Sequence, residues 1–330
     1  MPGEFVMCAR AVDRGKFIAE PGPTLFLHVP EQELPSPQYA VARKDAWVKR
    51  LRKESTWGKD ARTGGDRGDI LIFIHGYNNS QAIVMRRHRQ LKADLAQAGW
   101  RGAVVSFDWP SADMTLNYLE DRHDAKQTAL QLVTDGIPLL SAEQGPGCTI
   151  NVHLLGHSTG AYVIREAFDD ADDATLVNNG WLVSQIVLIG GDVSSASLSG
   201  SSASSESLYR HCTRLTNYSN RHDAVLKLSN AKRIGMAPRV GRVGLPVDAP
   251  GKAVDIDCSE YFQLLESQTS LRKKDQKAEI GTFNHSWHIG NATFAKDLCE
   301  TLKGDHDRSV VPTRKPDGAG RLRLVPIPQT

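Results

Sequence analysis

"INVHLLGHSTGAYVI" (residues 150–164) decides how the rest of this chain is read. An apolar run ends in Gly156-His157-Ser158-Thr159-Gly160. A helical pattern then begins, with Ala161, Ile164 and Phe168 on one stripe. A Gly-x-Ser-x-Gly string between a strand and a helix has the setting of a nucleophile elbow. The serine there sits on a sharp, strained bend. Side chains two residues before and two residues after it would collide with the neighbouring strand and helix, and glycine at both places removes the collision. The bend lifts the hydroxyl above the sheet edge, at a helix N-terminus whose N–H groups can stabilise negative charge.

Working outward, apolar runs alternate with amphipathic stretches. Strands are expected over 4–12, 24–30, 69–76, 102–110, 149–156, 181–191, 212–219 and 253–258. Helices are expected over 78–99, 119–137, 159–170, 222–230 and 291–304. This alternation predicts an α/β fold: a mostly parallel central sheet, helices on both faces, and antiparallel strands at the N-terminus. Continuous apolar runs such as "DILIFIHG" (69–76) suit strands buried on both faces. Ligands in such sheets bind at the strand-to-helix edge. Residues 1–304 read as a single domain and 305–330 as a Pro- and Arg-containing tail. Residues 31–66 read as polar and turn-rich. The Ser-rich stretch 194–207 reads as a flexible loop or mobile flap, and 230–252 as a long Gly/Pro-rich loop.

Composition limits the alternatives. The 330 residues are 40% hydrophobic and 24% charged, as in an ordinary globular protein. A net charge of +2 argues against a nucleic-acid partner. The basic stretch 43–62 reads as solvated surface charge. Five cysteines, none at metal-ligand or redox spacing, favour reduced thiols in a cytoplasm. No signal-peptide pattern and no apolar run of membrane-spanning length is seen, so a cytoplasmic chain without stable membrane insertion is expected.

A serine nucleophile needs an oxyanion hole, a base and an orienting acid. "IFIHGYNN" (72–79) offers the hole. Gly76 lets the backbone come close, and the amides of Tyr77 and Thr159 are the expected donors. His75 lies on the wrong strand to be the base and is read as shaping the loop. The acid comes from a later strand end: Asp223 is preferred, with Asp192 as the alternative. Asp223 could also simply cap the helix that follows it. The base comes later still: His285 is preferred, with His288 as the alternative. Neither a metal nor an organic cofactor is required by such a set.

These motifs resemble the α/β-hydrolase superfamily. More closely, the chain is similar to a largely uncharacterised, esterase- or lipase-like bacterial family of that superfamily. The similarity rests on "FIHGYNNS" (73–80), "FDWPSADMTLNYLEDRHDA" (107–125), "LLGHSTGAYV" (154–163), "YSNRHDAVLKLS" (218–229) and "NHSWHI" (284–289). It extends over roughly residues 65 to 304, and Trp109 to Ser111 is its most family-specific piece. The resemblance implies Ser158, Asp223 and His285 as a triad acting on a small-molecule or lipid ester. Trp287 and the Ser-rich segment 194–207 depart from the family pattern, where specificity would be set. Two rival readings keep the fold: a lipid- or amide-directed hydrolase, and a catalytically silent binding protein.

Overall fold

The computed structural model describes residues 3–111, 118–137, 148–169, 171, 181–231 and 237–327. Among them, eleven strands form one sheet. In chain order they are β1 (Gly3–Asp13), β2 (Lys16–Pro30), β3 (Thr56–Lys59), β4 (Asp66–Ile74), β5 (Ala103–Asp108), β6 (Cys148–His157), β7 (Val183–Ile189), β8 (Cys212–Ser219), β9 (Ala253–Asp257), β10 (Arg314–Pro316) and β11 (Leu322–Leu324). Their spatial order is β10-β11-β9-β8-β7-β6-β4-β5-β1-β2, with β3 paired to β4. The pairs from β1–β5 through β8–β9 are parallel. The β1–β2 hairpin is antiparallel, as expected for the N-terminus. Its bulges near Cys8 and Arg10 let β2 run on through Pro21-Gly22-Pro23, so this strand starts well before the expected 24–30.

The pleat sorts β4 cleanly. Ile70, Ile72 and Ile74 face a core layer that includes Ala161 and Ile164. Leu71 and Phe73 face a second layer with Leu91, Leu95, Phe294 and Leu298. Helices therefore cover both faces, and the two-sided burial explains the unbroken apolar run. The helices are α1 (Lys44–Ser55), α2 (Gln81–Gln97), α3 (Tyr118–Gln131), α4 (Thr159–Asp169), α5 (Ala203–Arg210), α6 (Ala224–Ala231), α7 (Val240–Val243), α8 (Ser259–Ser267), α9 (Thr269–Asp275), α10 (Phe283–Ser286) and α11 (Ala292–Lys303). Ser80 caps α2 by accepting from the Ile83 amide. Asn291 caps α11 and Gly304, at φ +65°, ends it.

The register brings three strand ends together. Ile74 pairs with Gly156, and His157 pairs with Ile189. The turns that follow β4, β6 and β7 thus meet at one edge.

Four segments differ from the sequence reading. The basic stretch 43–62 is not simply solvated: α1 buries Trp47, Val48 and Leu51 against the sheet, so 31–66 is more than turns. The Ser-rich stretch 194–207 is ordered by short helices, and Ser205, Ser207 and Leu208 are buried in or beside α5. The loop 230–252 contains α7, whose Val240 is buried; residues 232–236 lie outside the described residues. The stretch after residue 304 supplies β10 and β11. β11 pairs in parallel with β9, and Arg314 is buried against Asp297, with its Nη2 2.6 Å from Oδ1. Strands of three residues are too short to show a period in sequence. Cys8, Cys212, Cys258 and Cys299 are free thiols. Among the described residues no helix is long and apolar enough to cross a membrane.

Candidate active site

Ser158 stands alone between β6 and α4, at φ +56°. This is the left-handed region, which costs a non-glycine residue about 1–2 kcal/mol. Hydrogen bonds hold the bend. The Ser158 amide donates to Ile189 O at 3.1 Å, and Ser158 O accepts from the amides of Ala161 (3.0 Å) and Asp192 (2.9 Å). The flanking glycines are sterically required. A Cβ on Gly160 would lie 2.2 Å from Ile74 O, and one on Gly156 would lie 2.8 Å from Ile164 Cδ1. Thr159 opens α4, at a position whose amide has no intrahelical acceptor.

The turn after β4 presses against this bend. A Cβ on Gly76 would lie 2.7 Å from Ser158 Cβ. Gly76 O accepts from Asn79 Nδ2 (2.7 Å) and faces His75 Nδ1 (2.8 Å), while Asn79 Nδ2 also donates to Tyr77 O (3.0 Å). The Trp-Pro-Ser segment props the turn from the next strand. Trp109 stacks on His75 and donates through Nε1 to His75 O at 2.8 Å. The Asn79 amide donates to Ser111 Oγ at 3.3 Å. Asp108 faces His75 Nε2 at 3.2 Å and accepts from Arg10 Nε (2.9 Å) and Gln81 Nε2 (2.8 Å). Burial opposes the charge on Asp108, but Arg10 and His75 outweigh it and hold the carboxyl well below its usual range.

The preferred late Asp and His candidates meet as a pair. His285 Nδ1 donates to Asp223 Oδ2 at 2.7 Å, and both side chains are buried. Asp223 does two jobs: its Oδ1 accepts from the Leu226 amide at 2.9 Å and caps α6. Gly190, at φ +52°, makes room for the imidazole, because a Cβ there would lie 3.1 Å from His285 Cε1. Ser158 and His285 therefore flank the same corner, residues 189–190. Among the described residues no hydrogen bond joins the Ser158 hydroxyl to the ring, a bond that is often long without substrate.

The alternative residues have other partners. The Asp192 carboxylate faces Arg239 Nε at 3.2 Å, and its amide braces Ser158 O. His288 packs into the second core layer, stacked on Trp287 and edge-on to Phe294. Neither of its nitrogens has a hydrogen-bond partner among the described residues, and burial pushes its pKa well down. His75 lies under the turn after β4, held by Trp109 and facing Gly76 O. Among the described residues no group of three or more His, Cys, Asp or Glu could hold a metal ion.

Residues 52–253 match the family described as "Alpha/beta hydrolase of unknown function (DUF900)". The chain belongs to this family. The sheet, its parallel order and its N-terminal hairpin are those of an α/β-hydrolase fold. Solved structures of hydrolases are similar at low identity. One is a protein assigned as a cell surface hydrolase of Lactobacillus plantarum WCFS1, with 11% identity and a TM-score of 0.38, over 72% of this chain and 90% of that one. A cutinase-like protein from Cryptococcus sp. has 12% identity and a TM-score of 0.29, over 75% of this chain and 94% of that one. Esterase B of Lactobacillus rhamnosis has 13% identity and a TM-score of 0.31, over 67% of this chain and 72% of that one. At these values the likenesses carry nothing about what this hydrolase acts on. Among the curated proteins no match was found.

Sequence reasoning missed four polar residues of this α/β hydrolase. Asp108, Arg10 and Asn79 support the turn after β4. Asp108 was within reach, because it opens the "DWPS" block. Arg87 gave no signal. It lies in "MRRHRQ" (85–90), with nothing in sequence to set it apart from Arg86 and Arg89, yet it is buried. Burial pulls its pKa down to about 10, and among the described residues no carboxylate lies at ion-pair distance from it.

Proposed function

We propose that this α/β hydrolase is a serine hydrolase that cleaves a carboxylic ester through an acyl-enzyme. What carries the reading is the buried His285–Asp223 pair, 2.7 Å apart, at the same strand-end corner as a serine held at φ +56°. In the reaction His285 Nε2 accepts the Ser158 proton as Oγ attacks the carbonyl. The amides of Tyr77 and Thr159 receive the oxyanion, and one such donor accounts for about 3 kcal/mol of barrier. Asp223 fixes the Nδ1–H tautomer and stabilises the imidazolium. His285 then gives the proton to the leaving alcohol. A water activated by the same ring releases the acid and restores the serine. These steps call on side chains and backbone amides alone. An ester suits the site because an alkoxide leaves more easily than an amine, and the substrate is a small-molecule or lipid ester.

The test is the Ser158→Ala variant, assayed on a short-chain aryl ester and with a serine-directed phosphonate. Turnover and labelling should both disappear while the thermal transition stays in place. Undiminished turnover in that variant ends the assignment.

A further inference from the structure

Arg87 is a buried cation of this site, and its hydrogen bonds reach the turn after β4, the residue before Ser158 and the residue after His285. Nη1 donates to Asn79 Oδ1 at 3.0 Å and to His157 Nδ1 at 3.4 Å. Nη2 donates to Ile280 O and to Ser286 Oγ, each at 3.1 Å. Asn79 belongs to the turn after β4, His157 precedes the serine, and Ser286 follows the histidine. Space is kept for the guanidinium at Gly281 (φ +96°), where a Cβ would lie 2.5 Å from Nη2.

We propose that Arg87 is a positioning residue for the reaction: through Asn79 it aims the Tyr77 amide, and through His157 and Ser286 it holds the elbow and the His285 loop in register with that donor. The proposal rests on the serine-hydrolase reading above.

The aiming follows from peptide geometry. The bond between Gly76 and Tyr77 is trans, so the Gly76 carbonyl and the Tyr77 N–H point opposite ways. Asn79 Nδ2 anchors that carbonyl at 2.7 Å. Fixing the carbonyl therefore fixes the direction of the amide. The carboxamide of Asn79 has two orientations, and only one presents Nδ2 to Gly76 O. Arg87 can only donate, so it selects the orientation with Oδ1 toward itself. The same logic assigns the His157 tautomer. Its Nδ1 must accept from Arg87, so the proton sits on Nε2, which faces His285 O at 3.3 Å. Burial, with the Arg87 charge next in size, pushes the His157 pKa well down and keeps that ring neutral. A lysine is a point donor and cannot span both nitrogens' partners as a planar fork does.

The experiment uses the full chain carrying Arg87→Met, Arg87→Lys, Asn79→Ala or the Arg87→Met/Asn79→Ala pair. Turnover of p-nitrophenyl acetate is referred to active sites titrated with a fluorophosphonate, so that misfolded protein does not count. Arg87→Met should lower kcat per titrated site by about 10- to 100-fold, less than the outright loss of an oxyanion donor because the amide is misaimed and not removed, with KM changed by less than about threefold. Arg87→Lys should recover part of the loss. The pair should be no more than about threefold worse than the worse single variant, because both act on one peptide. If Arg87→Met gives too little folded protein, Asn79→Ala and Arg87→Lys carry the test. A kcat per titrated site within about twofold of the wild type in those variants, or losses that multiply in the pair, overturns the Arg87 inference. A wild type that never takes up the probe, or an active Ser158→Ala variant, sinks the serine reading instead.

Discussion

Asp223→Asn separates the chemical role of this carboxylate from its structural one. The wild-type carboxylate makes two bonds: Oδ2 accepts from His285 Nδ1 at 2.7 Å, and Oδ1 accepts from the Leu226 amide at 2.9 Å. Asparagine has one acceptor and one donor, so it cannot do both. If its oxygen keeps the cap, its NH2 faces His285 Nδ1. The ring must then carry its proton on Nε2, and it cannot take one from Ser158. That tautomer is worth about 10⁴ in kcat in the serine-protease precedent, or about 5.5 kcal/mol of barrier. If the oxygen turns to His285 instead, the cap fails and α6 loses about 1 kcal/mol. Expected, then, is a kcat per titrated site down by about three to four orders of magnitude, with stability lowered by about 1 kcal/mol at most. Asp192→Asn should behave in the opposite way. It removes the carboxylate facing Arg239 at 3.2 Å, and breaking a buried pair costs about 3–5 kcal/mol of folding. Both variants are assayed by turnover per titrated site and by urea unfolding. An Asp223→Asn enzyme that keeps more than about a tenth of wild-type kcat would refute the tautomer argument.

Two further outcomes concern the fold. Arg314→Met leaves Asp297 buried without its guanidinium, so the urea midpoint should fall by the equivalent of about 3–5 kcal/mol, and a small change would mean that the last strands are peripheral. The protein should also lose stability as pH falls below about 6.5. His88 is buried, which depresses its folded pKa to about 3, so its contribution is present above the unfolded value and is lost on acidification. At pH 5 that loss is about 2 kcal/mol from His88, and His157 and His288 shift the same way. Asp255 opposes it: burial pushes its carboxyl up to about 6, a contribution that fades as pH rises through that value. Urea midpoints at pH 7.5 and pH 5 decide whether the histidines win.

The fold was readable because its strongest signals are local. Ile70 to Ile74 form an apolar run that only a two-sided sheet can bury, and the glycines at 156 and 160 mark a bend whose neighbours leave no room for Cβ. The chain order of Ser158, Asp223 and His285 pointed to residues that do lie near one another in pairs, Asp223 with His285 and both His285 and Ser158 with the 189–190 corner. What stayed hidden depends on distant partners. Arg87 looks like its neighbours Arg86 and Arg89 until residues 79, 157, 280 and 286 are placed around it. Arg314 reads as tail until Asp297 and Tyr218 are seen beneath it. The serines of 194–207 suggest disorder by composition, yet tertiary burial of Ser205 and Leu208 orders them.

The left-handed backbone shape directly follows both β6 and β7, adjacent strands of this sheet, at +56° in Ser158 and at +52° in Gly190. After β7 the chain uses glycine, which adopts such a shape without cost. After β6 it uses a serine that must be forced into it. Folding alone accounts for the glycine and leaves the serine unexplained. A library of variants ranked purely by thermal resistance would tend to discard the very hydroxyl on which the proposed chemistry turns.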